Sequence, residues 1–226
     1  MINKRIGFTK TGILKFIGHL DLLRTFQRAF RRAEVPLAYS QGFNPHPLLS
    51  FANPLALGMT SEDEYADITL ETEMDDQELV QRMNAVLPPG LSLTRCVSLP
   101  ERYETAMALV TASTYRITFP SFDFNWSDAV NTYLSQDQIM VRRLGKVRGR
   151  KQWLDVDVKS LIYQYEMTDD CTLVLTCACG STLNLKVDSL LECFYAFIGH
   201  PEWLHEETIH RTHLYQTVEG QFAPLM

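Results

Sequence analysis

Four arginines, Arg24, Arg28, Arg31 and Arg32, recur at three- and four-residue steps. Beyond them the chain runs Tyr39-Ser40-Gln41-Gly42-Phe43-Asn44-Pro45-His46-Pro47. Guanidinium groups are planar forks that match phosphate or carboxylate. Tyr39, Phe43 and His46 carry rings that can stack on a base, and Ser40, Asn44 and Ser50 add hydrogen-bonding groups. Gly42 admits backbone angles closed to other residues. Arginine interleaved with aromatics is the composition of a single-stranded nucleic acid site. It equally suits a protein partner, because Arg and Tyr are enriched at interface hot spots. Residue by residue, a core aromatic or a satisfied turn histidine explains as much; as a set, these residues read as a binding surface.

His19 stands just before the arginine run, where it can meet an anion or exchange a proton near neutrality. A capping or core role competes with that, and no nucleophile or paired base can be assigned to it. Residues 142–159 form a second basic island of seven Lys/Arg against two acids. Arg148, Arg150 and Lys151 lie at what reads as a hairpin tip able to grip a phosphate backbone, or as an exposed tip kept soluble by charge. Cys171, Cys177, Cys179 and Cys193 lack Cys-x2-Cys spacing, so buried thiols are expected. His200, His205, His210 and His213 match no specific metal pattern. No metal or cofactor is expected. The chain has no Walker loop, dinucleotide-binding glycine fingerprint or Gly-x-Ser-x-Gly elbow.

These residues are placed by a recognisable order of elements. A strand over residues 4–9, continued by Ile13–Phe16, leads into a helix. Leu20, Leu23, Phe26, Phe30 and Ala33 form its apolar stripe, and Pro36 ends it. An extended run over Leu48–Leu57, a turn at Ser61–Asp63 and a strand over Tyr65–Leu70 follow. Next come a helix over Asp75–Leu87 and a strand over Leu91–Ser98. That β-α-β-β-α-β order is ferredoxin-like. The second half repeats it more loosely: strand Thr114–Phe119, helix Trp126–Leu134, strand Gln138–Leu144, a basic turn at Lys146–Gln152, an extended run over Trp153–Met167, strand Thr172–Cys177, helix Val187–Ile198 and a last strand over Thr208–Val218. The expected fold is α+β, two tandem ferredoxin-like domains with antiparallel sheets: residues 1–100, a connector over 101–112, and 113–226.

Composition bounds the setting. The chain has 226 residues, 46% of them hydrophobic and 21% charged. No window is apolar enough for a membrane span, and an odd cysteine count suggests no disulfide scaffold. A reduced, cytoplasmic setting is expected. The net charge of −6 hides an asymmetry: residues 1–60 hold eight Lys/Arg and two acids, 8 − 2 = +6, which leaves −12 for the rest. Local positive potential can steer an anion to an acidic protein.

The run Gly18-His19-Leu20-Asp21, with Arg24, Arg28, Arg31-Arg32-Ala33, Pro36, the Tyr39–Pro47 loop, Ser50-Phe51, Pro54-Leu55 and Gly58, resembles the radical-SAM-linked protein family. This is a bacterial domain of unknown function found beside, or fused to, radical S-adenosylmethionine (SAM) proteins. The likeness is strong over residues 5–100 and weaker beyond. The basic island before Asp155-Val156-Asp157 resembles the family's basic hairpin, which usually leads to Asp-Ile-Arg-Pro; here the stretch continues Val158-Lys159. The resemblance implies a radical SAM partner and, through its usual gene neighbours, RNA as a ligand, and it transfers no catalytic residue. The expected function is an accessory, substrate-recognition protein that binds RNA or a ribonucleoprotein and lacks catalysis of its own. An RNA-processing or RNA-modifying enzyme using His19 or His46, and a purely protein-binding adaptor, stand as alternatives.

Overall fold

The computed structural model describes residues 1–147 and 149–226. In chain order the strands and helices are β1 (Ile2–Lys10), α1 (His19–Arg32), β2 (Leu49–Phe51), β3 (Thr60–Leu70), α2 (Asp76–Asn84), β4 (Leu91–Ser98), α3 (Ala106–Leu109), β5 (Ala112–Thr118), α4 (Trp126–Leu134), β6 (Met140–Val147), β7 (Arg150–Asp157), β8 (Ile162–Met167), β9 (Thr172–Ala178), α5 (Val187–Phe197), β10 (Thr208–Val218) and β11 (Gln221–Ala223). Over the described residues the chain is thus mixed α+β with five α-helices and a mostly antiparallel sheet.

The two expected sheets are one. Its strands run β4-β1-β3-β10-β5-β9-β8, with β2 on β3 and β11 on β10. The join is a short parallel pairing of His210 and Arg211 with Thr60 and Ser61. Farther along, β3 pairs instead with β2 at Ala66–Ile68, and β10 with β11 at Gln216–Val218. A small cluster that includes Tyr65, Ala106, Val110, Leu214 and Leu225 fills in beside these strands.

Two larger cores lie on either side of the join. Ile6, Phe8, Ala66, Ile68 and Leu93 pack with Leu22, Phe26, Phe30, Leu79 and Met83 of α1 and α2. Ile117, Leu173 and Leu175 pack with Trp126, Val130, Leu190 and Phe194 of α4 and α5. Both helix pairs cover the same face. Glu64 is in register with Phe8 of the first core, Arg211 with Tyr115 of the second, and the two charged side chains bond each other.

That contact is a buried ion pair. Arg211 Nε donates to Glu64 Oε1 at 2.8 Å, and Nη2 donates to Glu64 Oε2 at 2.6 Å and to the Asn53 carbonyl at 2.8 Å. Arg211 is 1% exposed. Lys10 is buried close by and donates to the Ile17 carbonyl at 3.1 Å. Burial, together with the Arg211 charge, draws its pKa below the ordinary lysine value, against the pull of Glu64. A second buried pair, Arg5 Nε to Asp67 Oδ1 at 2.7 Å, ties the first half to the connector and the C-terminus. Arg5 also donates to the Glu104 and Leu225 carbonyls, and the Ala106 amide donates to Asp67.

Several local expectations change. Gly12–Phe16 is a 3-10 helix rather than more strand, because Gly12 takes a left-handed φ of 60° that breaks the extended run. Ser61–Asp63 belongs to β3, and the turn-like composition there marks an irregularity in pairing with β1. Only Leu49–Phe51 of the run from Leu48 to Leu57 pairs as a strand. Most of the turn expected at Lys146–Gln152 is strand: β6 and β7 form their own two-stranded sheet in register from Met140↔Asp157 to Val147↔Arg150. Leu20 is 63% exposed, whereas Leu22 is buried. Leu20 stands four residues before Arg24 and eight before Arg28, so helical periodicity puts it on the arginine side.

Helix α1 ends in a six-to-one and five-to-two hydrogen-bond pair, Val35 N–H to the Phe30 carbonyl and Glu34 N–H to the Arg31 carbonyl. Glu34 takes the left-handed position at φ 53°, where glycine is usual. Glu34→Gly is expected to raise stability by up to about 1 kcal/mol and Tm by about 2–4 °C, read by urea and thermal unfolding. Glu64→Gln is expected to cost about 3–5 kcal/mol by leaving the Arg211 charge without its counter-ion. A loss below about 1 kcal/mol in the same assays would show that the pair does not hold the seam.

Candidate functional site

The arginine surface is positioned by what lies behind it. Leu22, Phe26, Ala29 and Phe30 are the buried residues of α1. Each large one contributes about 1.5–3 kcal/mol of burial, whereas an exposed ion pair such as Arg24–Asp21, 3.1 Å apart, is worth about 0–1 kcal/mol. Apolar packing therefore sets the roll of the helix and leaves Arg24, Arg28 and Arg31 outward in one column, all exposed. Among the described residues Arg28 and Arg31 form no ion pair. Arg32 is partly committed, since Nη2 donates to the Val86 carbonyl at 2.7 Å and bridges α1 to the end of α2.

The following loop is closed at its neck. Ser40 N–H donates to the His46 carbonyl at 2.9 Å and Leu48 N–H to the Ala38 carbonyl at 2.8 Å, and Tyr39 bridges Pro47. Ser40 Oγ lies 2.8 Å from His46 Nδ1 and accepts the His46 amide at 3.1 Å. Gly42 has φ 131°. The clamp presents Phe43 and Asn44 at an exposed tip, with Phe43 wholly in solvent. Tyr39 is also exposed. His46 is thus tied to the loop neck, and Ser40 is half-buried beneath it. His19 is exposed at the start of α1, its ring edge-on to Phe51 at 5.5 Å. Ser50 is exposed on β2, which pairs with β3.

The second basic island belongs to the other half. Val141 enters the core under α4 and α5, and β6 packs on α5. Arg150 and Lys151 are exposed at the start of β7; Arg148 lies outside the described residues. The two islands are therefore carried by different cores.

The cysteines and C-terminal histidines are dispersed. Burial, with the Cys179 thiol beside it, pushes the Cys177 thiol up to about 12, which keeps it protonated near neutrality. His200 stacks on Trp203 at 3.7 Å, His210 Nδ1 lies 2.7 Å from Thr60 Oγ1, and His213 Nδ1 lies 3.1 Å from Thr212 Oγ1. Among the described residues no group of three His, Cys, Asp or Glu could hold a metal ion, and no helix is long and apolar enough to cross a membrane.

Two clefts escape sequence reasoning. One, of about 540 Å³, lies between β3, β4 and β10 and is lined by Asp63, Tyr65, Arg95 and His213. Arg95 bonds the Tyr65 hydroxyl and stands 3.2 Å from Asp63. Burial, then the neighbouring Asp63, raises the Tyr65 pKa, so this phenol stays protonated near neutrality and the cluster reads as a satisfied network. The other, of about 710 Å³, lies between the β6–β7 hairpin and residues 181–192. The first has no signal in the chain, because it collects residues far apart in sequence; the second takes one wall from the basic island and the other from residues 181–192, which no spacing joins to it.

A family described as "Uncharacterized protein conserved in bacteria (DUF2344)" matches residues 4–187. No curated protein matches the chain. Among solved structures the chain is similar to one in "Crystal Structure of a Cbf5-Nop10-Gar1 Complex", with a TM-score of 0.47 and 8% identity over 96% of this chain and 50% of that one. The chain spans half the length of that neighbour, and so distant a likeness carries no argument.

Ser40→Ala removes both side-chain bonds of the loop neck and keeps the backbone bond. Global stability is expected to fall by no more than about 1.5 kcal/mol, while the His46 amide loses protection in native-state hydrogen exchange. Unchanged exchange at His46 would show that the hydroxyl does not hold the clamp.

Proposed function

Because the chain belongs to the DUF2344 family of uncharacterized bacterial proteins, we propose its function from its own surface: it is a recognition protein that binds RNA, or a ribonucleoprotein, through α1 and the Tyr39–Pro47 loop. The observation that carries this reading is the exposed column of Arg24, Arg28 and Arg31. Among the described residues Arg28 and Arg31 form no ion pair and Arg24 only an exposed one with Asp21, and a row of such cations suits a phosphate backbone. The ring of Phe43, held out by a closed loop neck, supplies a stacking or wedging contact beside them. In this reading each half is a ferredoxin-like unit, supported by the strand order β4-β1-β3-β2 in the first and β10-β5-β9-β8 in the second. The two units are fused edge to edge, so recognition surfaces on both belong to one body.

The finer part of the proposal is that the protein serves a radical SAM enzyme as its substrate-recognition subunit, which rests on the sequence resemblance of residues 5–100. A purely protein-binding adaptor is the competing reading, and Phe43 favours it, since an exposed aromatic at a loop tip is a common protein anchor.

Binding of single-stranded RNA, followed by fluorescence anisotropy across a salt series, separates these readings. Arg28→Glu with Arg31→Glu is expected to weaken binding at least about tenfold and to lower the salt slope by about 2. Phe43→Ala is expected to weaken binding with stability unchanged within about 0.5 kcal/mol. Affinity and slope unaltered by the arginine pair would remove the RNA reading of α1. Co-purification of the tagged protein with a radical SAM protein is the expected result for the finer part.

A further inference from the structure

The β6–β7 hairpin is anchored where Val141 enters the second core. A cleft of about 710 Å³ opens between it and residues 181–192, a volume inside the range of about 300–1,000 Å³ typical of ligand clefts. Its lining includes three cations, Arg142, Arg143 and Lys186, against one carboxylate, Glu192; in the hairpin register Arg142 shares the face of Trp153 and Arg143 takes the opposite one. Asn184 and Ser189 add hydrogen-bonding groups. Asp155 stands 4.0 Å from Arg142, but both side chains are 71% exposed, so solvent screens the pair and leaves the guanidinium available.

Trp153 lines the same cleft and is 61% exposed. It belongs to none of the three hydrophobic clusters. The Arg142 guanidinium lies 6.0 Å from its ring centroid. An indole so open contributes little to stability through burial. Cations beside an open ring supply the two contacts a nucleotide makes, one to phosphate and one to base. An acidic peptide would use the cations and leave the ring without a partner.

We infer that this cleft binds a short segment of single-stranded RNA, with Arg142, Arg143 and Lys186 on its phosphates and Trp153 stacked on a base. The inference shares its ligand class with the proposal for α1 but rests on different residues in the other half of the chain.

The test titrates the full chain with an unstructured oligouridylate of about twelve nucleotides and follows indole fluorescence and anisotropy together. The chain has three tryptophans, and the Trp153→Phe variant identifies the signal of the exposed one. Saturable quenching that Trp153→Phe abolishes is expected. Arg142→Glu with Arg143→Glu is expected to shift its midpoint about tenfold or more. Lys186→Glu, on a separate segment, is expected to shift it in the same direction and guards against a misfolded hairpin. Arg28→Glu with Arg31→Glu is expected to leave the Trp153 quenching in place. Absence of quenching, a midpoint indifferent to both sets of cleft variants, or quenching lost only in the α1 variant would each overturn the inference. RNA binding by anisotropy with a silent Trp153 sinks the cleft and spares the α1 proposal. A Trp153 response with full affinity in the α1 variant does the reverse.

Discussion

The pairing of Arg211 with Glu64 is the constraint on which the rest of the structure depends. The backbone ladder between the two halves is a short parallel pairing of β3 with β10, too little to fix their relation by backbone bonds alone. A buried guanidinium cannot be left without a counter-ion, and Glu64 supplies one in two-point geometry while Asn53 accepts a further bond. Satisfying that charge brings Glu64, from the strand under α1 and α2, against Arg211, from the strand beside the α4–α5 core. The edge-to-edge sheet with all four longer helices on one face follows from it. The Arg5–Asp67 pair plays a related part, holding the connector and the C-terminal residues against the first half.

With the scaffold so fixed, charge is sorted by depth. Buried cations (Lys4, Arg5, Lys10, Arg211) have specific partners among carboxylates and carbonyls. The surface cations of α1 and of the hairpin have few. Arg24 and Arg32 are engaged locally, Arg142 only loosely, and Arg28 and Arg31 make no ion pair among the described residues. A protein of net charge −6 thereby shows two positive surfaces, one on each half. Trp153 stands open beside Arg142 of the second, and Phe43 is exposed on the loop that follows α1.

Much of the fold was legible because it is local. The helix over the arginine run, the start of α2, where the Asp75 carboxylate accepts from the Gln77 and Glu78 amides, and the strand at Leu91–Ser98 all follow from periodicity and capping chemistry. Leu20 was misplaced because an apolar residue at a helix start fits two faces, and only packing shows which one is covered. The stretch Lys146–Gln152 read as a turn because its glycine and many charges are turn-like, although β6 runs to Val147 and β7 begins at Arg150. It is a strand pair because cross-strand hydrogen bonds form along its length regardless of side-chain polarity. The loop neck was half legible: its prolines and Gly42 marked a turn, but the bond of Ser40 to His46 depends on the closed geometry of that turn.

By itself the sequence determined the α+β class, most of the order of elements, the charge asymmetry and the segments that carry arginine and aromatic residues, since each is a property of neighbours along the chain. Only the tertiary structure decided that the two halves share one sheet, that Arg211 and Glu64 close the seam, and that Trp153 and Arg142 face a cleft with Lys186. These depend on pairs separated by tens to more than a hundred residues. Burial, counter-ion pairing and sheet register act across space, and no spacing in the chain encodes them.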